Sequence, residues 1–186
     1  MKLKNILLTG LAVMTLASCN DFLKVESPSS YTDEFVYSQK SEMDRALNGV
    51  YATILVGDLY GNAYQRTFTL NSDVDMQISS ANTETQNSYA RFDCDDRGGE
   101  IYKFWKAAYN AIEYANRFIY GMENSELYDG EDADLLQMLG EAKCLRAMVY
   151  HDLVVMFGDV PFSFTKAAEL GNDYVTPVAK RENILN

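Results

Sequence analysis

Among residues whose type and setting could do chemistry, Cys19 has the plainest context. Leu16-Ala17-Ser18 stand directly before it, Lys2 and Lys4 open the chain, and an apolar segment runs from Ile6 to Ala17. A basic head, a short apolar stretch and small residues before a cut are the parts of a secretory signal. A cysteine immediately after them is the bacterial lipobox pattern. Its thiol is expected to carry a diacylglycerol through a thioether, with Cys19 as the first mature residue. The apolar run falls short of the roughly 18–20 residues that a membrane span needs. Residues 1–18 therefore read as a lipoprotein signal peptide. Residues 19–40 contain Ser27-Pro28-Ser29-Ser30 and no sustained apolar period, and read as a lipidated tether. One acyl chain holds a protein to a bilayer only marginally, whereas two or more hold it stably.

The other reactive side chains are poorly arranged for catalysis. The chain contains no glycine-rich phosphate loop, no GxSxG and no HExxH. His151 is the single histidine and falls among Tyr150, Leu153 and Val154, where it reads as a packed helix residue. Asp93, Asp95, Asp96 and Glu100 suggest calcium, but an EF-hand would want oxygen ligands where Arg97 and Phe104 stand; a solvated turn is the better reading. Cys94 and Cys144 form no CxxC and have no histidine at metal-ligand spacing. Whether they pair is open, and Cys144 reads as a small core residue. Neither an enzyme nor a cofactor or metal site is expected.

Removing Lys2 and Lys4 from the 16 basic side chains leaves 14 against 27 acidic ones, a formal charge near −13 for the mature chain. That balance excludes a nucleic-acid binder, which needs a basic surface against phosphate. It also disfavours lying flat on anionic lipid. The 168 residues beyond position 18 suffice for one domain with a real core, and 47% apolar content is that of a globular chain. Thirteen Tyr, nine Phe and one Trp could stack on sugars or proteins, though most are expected to pack helices together.

The elements that must position these residues are helices. Met43, Leu47, Val50 and Ile54 recur at steps of four, three and four, an amphipathic stripe. Ser41 and Asp44 resemble a capping box before it, and Gly57 is a plausible stop. A second helix carries Ile101, Trp105, Ala108, Ile112, Ala115 and Ile119. A neighbouring stripe of Phe104, Ala107, Ala111, Tyr114 and Phe118 means that it must be covered from two sides; Gly121 is expected to end it. A third helix begins in the acidic run Asp129-Gly130-Glu131-Asp132, whose carboxylates suit a helix N-terminus. It carries Leu135, Leu139, Ala142, Leu145, Val149, Leu153 and Met156, and stops at Gly158 with Pro161 behind it. Between the first two helices, residues 58–100 are polar and irregular, with a weak strand period around Arg66–Leu70. Thr176-Pro177-Val178 reads as the start of a further helix that the chain does not complete.

In this setting several segments resemble one family. Cys19-Asn20-Asp21-Phe22-Leu23 after the lipobox is similar to the mature start of the SusD/RagB outer-membrane nutrient-binding lipoproteins of Bacteroidota. Three further segments fit in order: Ala46-Leu47-Asn48-Gly49-Val50-Tyr51, then Trp105-Lys106-Ala107-Ala108-Tyr109-Asn110-Ala111-Ile112, then Gly140-Glu141-Ala142-Lys143-Cys144-Leu145-Arg146-Ala147 continuing to Phe157-Gly158-Asp159-Val160-Pro161.

The resemblance implies an all-α fold of stacked, tetratricopeptide-like helical hairpins, with the polar insertion between the first two helices. Residues 41–186 would be its N-terminal helical domain, truncated at the C-terminal end. It implies a protein lipid-anchored in the outer membrane, facing the exterior, that captures a glycan or other nutrient for import through a partner SusC-like TonB-dependent β-barrel transporter. In the family the region between the first two helices supplies part of the ligand surface. Here that region offers Tyr64, Arg66, Asn71, Asp73, Tyr89 and Arg91, aromatic platforms for sugar C–H faces and polar groups for hydroxyls. Trp105 falls on the apolar stripe and is expected in the core, and Arg146 and Glu141 are expected to be structural. The alternative function is a helical-repeat scaffold that recruits proteins and binds no glycan.

Overall fold

The computed structural model describes residues 32–62, 64–65, 99–166 and 175–186. Cys19, Cys94, the acidic run at residues 93–96 and the weak strand at 66–70 lie outside them. The folded unit that holds these elements is Asp33–Asn186. Its described elements are α1 (Asp33–Val36), α2 (Lys40–Ile54), α3 (Gly99–Glu123), α4 (Ala133–Phe157), β1 (Val160–Pro161), β2 (Val178–Ala179) and α5 (Arg181–Leu185). The all-α expectation holds. The first helical turn, α1, lies within the stretch read as a tether.

Helices α2, α3 and α4 each pack against the other two, and α3 runs antiparallel to both partners. Glu123 meets Lys143, Asn116 meets Arg146 and Phe104 meets Phe157, so α3 and α4 make an antiparallel hairpin. Lys40 meets Asp132 and Tyr51 meets Glu141, so α2 and α4 are parallel. The α2 stripe of Met43, Leu47, Val50 and Ile54 is buried as expected. So are Ala108, Ala111, Ile112, Ala115, Phe118 and Ile119 of the two α3 stripes, packed against α2 and α4, whereas Tyr114 of the second stripe is exposed.

The core has two parts stacked along the helices. Met43, Leu47, Phe118, Met122, Leu135 and Leu139 dominate the part near the α3–α4 turn. Leu59, Phe104, Ile112, Leu153, Val154 and Val160 dominate the other. Two buried polar residues, Asn116 and Arg146, bond across the hairpin at 2.7 Å. The Arg146 guanidinium also lies 3.9 Å from the centre of the Phe164 ring. Arg146 and Glu141 are thus structural, Glu141 accepting hydrogen bonds from Tyr51 and Gln137.

The helix ends explain several residues. The acidic run does start α4: the Asp132 carboxylate accepts from the N–H groups of Asp134 and Leu135, and Asp129 accepts from those of Glu131 and Asp132. Lys40 pairs with Asp132, and this hydrogen bond together with the capping bonds holds the Asp132 carboxyl below its ordinary pKa. At the far end Gly158, with φ +77°, takes a backbone conformation that side chains disfavour, and its N–H closes onto the Val154 carbonyl. Asp159 then bonds both the Lys180 ammonium (2.6 Å) and the Arg181 N–H (3.0 Å). It caps α5 from a distance in chain, because Lys180 at the N-cap makes no such bond. Val160 is fully buried and pairs with Ala179 across the two-stranded β1–β2 ladder.

Other expectations need correction. Ser41 and Asp44 are not a capping box: α2 begins at Lys40 with Gln39 as N-cap, so both lie inside the helix, whose first residue is drawn to Asp132 and Asp134. The helix stops at Ile54, before Gly57. Gly121 does not end α3, which runs two residues further. Its missing side chain instead admits the Tyr37 ring, and a Cβ there would fall inside that ring. Tyr37 is held by its hydroxyl donating to the Arg117 carbonyl and by the Ser125 hydroxyl donating to its own carbonyl. Thr176-Pro177 opens no helix: Val178 is in β2, and α5 follows at Arg181. Cys144 is exposed, not buried, because α4 turns Ala142 and Arg146 inward. His151 is likewise on the outer surface.

Candidate functional site

The described residues that flank positions 66–98 are Gln65 and Gly99, the latter opening α3. They place the polar insertion's two roots near the end of the bundle where α3 begins and α4 stops. An aromatic cluster occupies that end. Tyr60 and Tyr64, one helical turn apart, stack at 5.1 Å between ring centres, and Tyr64 meets the buried Phe104 at 5.9 Å. On the adjacent side Trp105 lies 4.9 Å from Tyr109 and meets the Phe157 ring edge-on at 4.9 Å. Aromatic pairs prefer such tilted and edge-to-face contacts.

The polar groups of this end are fixed by the same packing. The Tyr60 hydroxyl donates to Asp152 at 2.7 Å, and Asp152 also faces His151 Nδ1 at 3.2 Å. Burial, followed by the bond to Asp152, pushes the Tyr60 pKa far above that of free tyrosine. Burial and the Asp152 charge raise that of Tyr64. Tyr109, raised by burial, donates to the Pro161 carbonyl at 2.8 Å. At neutral pH these hydroxyls are donors. With those protons committed to Asp152 and Pro161, the arrangement leaves partly buried rings and phenol oxygens that can accept from the hydroxyls of a polyhydroxylated ligand. Among the described residues no group of three or more His, Cys, Asp and Glu could hold a metal.

Of the residues singled out from sequence, Tyr64 is in this cluster, partly buried against the core. Arg66, Asn71, Asp73, Tyr89 and Arg91 lie outside the described residues. Trp105, expected in the core, is only half-buried and packs on its rim. Sequence reasoning missed Tyr60 and Asp152. The four-residue step from Tyr60 to Tyr64 was a readable signal, but Asp152 comes from α4, 92 positions away, and only the folded hairpin brings it in.

Residues 21–180 match the SusD-like family model described as "Starch-binding associating with outer membrane". The chain belongs to the SusD-like family. It is 27% identical over 172 residues to SusD-like protein P2 of Formosa agariphila, covering 89% of this chain and 32% of that one. A second SusD-like protein of the same bacterium is 26% identical over 168 residues, covering 87% and 32%. The chain thus spans about a third of the length of these SusD-like relatives. In fold it resembles the crystal structure of a SusD-like carbohydrate-binding protein from Bacteroides fragilis. The TM-score is 0.60 with 21% sequence identity, over 81% of this chain and 29% of that one.

Proposed function

We propose that this SusD-like chain is the N-terminal part of a surface lipoprotein, anchored through Cys19, that captures a glycan for import through a TonB-dependent barrel. The family match over residues 21–180, with its starch-binding and outer-membrane description, carries the reading. Two features support it. Cys19 follows a lipobox, and the Tyr60–Tyr64 and Trp105–Phe157 contacts build an aromatic end from which the polar insertion springs. In this reading the rings take the apolar sugar faces, while Arg66, Asn71, Asp73, Tyr89 and Arg91 supply hydroxyl partners. The chain binds and hands on its ligand without chemical change.

The test uses tagged protein drawn from the native outer membrane in mild detergent. A TonB-dependent barrel should co-purify near one-to-one, and the lipoprotein should be retarded in native gels containing a matching polysaccharide. Recovery without a barrel would overturn the import role. Indifference to every polysaccharide would overturn glycan capture and favour a protein-recruiting scaffold.

A further inference from the structure

A groove of about 590 Å³ lies where α1 meets the last turns of α3, at the opposite end of the bundle from the Tyr60–Tyr64 cluster. Its volume is that of a small-ligand site. The groove has a built floor: Gly121 lets the Tyr37 ring lie against α3 where any side chain would collide with it. On one wall Tyr120 is 39% exposed as a residue, with Lys166 Nζ lying over its ring, 3.8 Å from the centre. Arg117 Nη2 is 3.7 Å from Asp33 Oδ1, too long for a hydrogen bond, so the pair is loosely held. Glu34 and Glu126 complete the charged rim.

This lining discriminates between ligand classes. A phosphate or polyanion would meet three carboxylates. An acyl chain would have to strip water from five charges, which is costly without new partners. A neutral sugar fits both features: its C–H face takes an aromatic ring, and its hydroxyls donate to carboxylates and accept from the ammonium and guanidinium groups. A sugar on Tyr120 would share the ring with Lys166 Nζ, which lies 3.8 Å from its centre.

We infer that this groove is a second saccharide site, separate from the aromatic end, taking one or two sugar rings on Tyr120 between Arg117 and Lys166. The ligand class rests on the glycan reading above. The two ends can be read independently because the only tryptophan, Trp105, stands at the other one.

The full chain is run in native gels cast with amylopectin, xylan or mannan, and its tryptophan emission is followed on adding the same polymers. Tyr120→Ala and Arg117→Ala should each weaken retardation at least threefold, with any emission response kept. If Tyr120→Ala fails to fold by circular dichroism, Tyr120→Leu keeps the bulk and removes the stacking ring. Retardation unchanged in these variants would overturn the groove while leaving the glycan reading intact. No retardation of the wild-type chain by any polymer would overturn both. Lost retardation in a protein whose emission never responds would support the groove and move the site away from Tyr64.

Discussion

Asn116→Ala should be among the most damaging single substitutions in α3. Asn116 is 3% and Arg146 9% exposed, and the amide oxygen accepts from Arg146 Nη1 at 2.7 Å. The Asn116 amide also donates to the Ser163 carbonyl at 3.2 Å, tying the segment after β1 to the hairpin. Burial lowers the Arg146 pKa, but far too little to discharge a guanidinium. Alanine therefore leaves the buried cation with the Phe164 ring but without its hydrogen-bond acceptor. A hydrogen bond to a charged group is worth about 1.5–3 kcal/mol, and a buried polar group left unpaired costs about 1–3 kcal/mol. These overlap, so the expected loss is about 3 kcal/mol, or about 6–12 °C in the unfolding midpoint for a unit of this size. Thermal unfolding followed by circular dichroism, with urea unfolding to confirm an unchanged m-value, reads it directly. Asn116→Asp restores the acceptor for Arg146 but loses the donor to Ser163 and faces that carbonyl with an oxygen, so it should recover only part of the loss. A fall of less than about 3 °C for Asn116→Ala would refute the claim that this amide satisfies the buried charge.

Three further outcomes follow from the same geometry. Gly121→Ala drives a methyl into the Tyr37 ring and should cost about 1–3 kcal/mol, seen as faster proteolysis between α1 and α2. Asp132→Ala removes a carboxylate whose pKa is lowered by Lys40 and by the α4 N–H groups. Its contribution is full above about pH 4 and is lost as pH falls through the lowered value. The deficit of the variant should thus be largest at pH 7 and close as acid is added; an equal deficit at pH 2 would count against the cap. Cys19→Ala should leave the protein unlipidated, so that it partitions into the aqueous phase of a detergent separation, and retention in the detergent phase would defeat the lipobox reading.

The helices were legible because their apolar residues repeat at helical spacing. Met43, Leu47, Val50 and Ile54 could serve no other period, and the double stripe of α3 announced that it would be covered on two faces. Gly158 was legible too, since a glycine after a long apolar pattern and before a proline has few other uses. Gly121 looked the same in sequence, yet it serves a contact with Tyr37, 84 positions away, that no local pattern encodes. Cys144 and His151 were misplaced because α4 carries apolar residues on every side. The periodic stripe Leu135, Leu139, Ala142, Val149 and Leu153 is buried as expected, but Leu136, Met148 and Val155 are exposed on the outer face, so apolar neighbours alone do not place a residue inside. At the candidate site Tyr64 could be picked out because it stands at the start of a polar, aromatic-rich stretch. Its partners Tyr60, Phe104 and Asp152 are joined only when α3 and α4 close as a hairpin.

The docking of α1 also has a mechanical meaning. Chain that enters the folded unit at Asp33 does so beside the α3–α4 turn, against Arg117 and Gly121, so the aromatic end at Phe104 lies about 20–25 Å away along the α3 axis. A pull on the chain at Thr32 would meet Asp33 paired with Arg117, then Tyr37 seated on Gly121 and Lys40 against Asp132 and Asp134. Only afterwards does the load reach the buried stripe of α2. The contacts that seat the entry point are thus separate from those that shape the aromatic end.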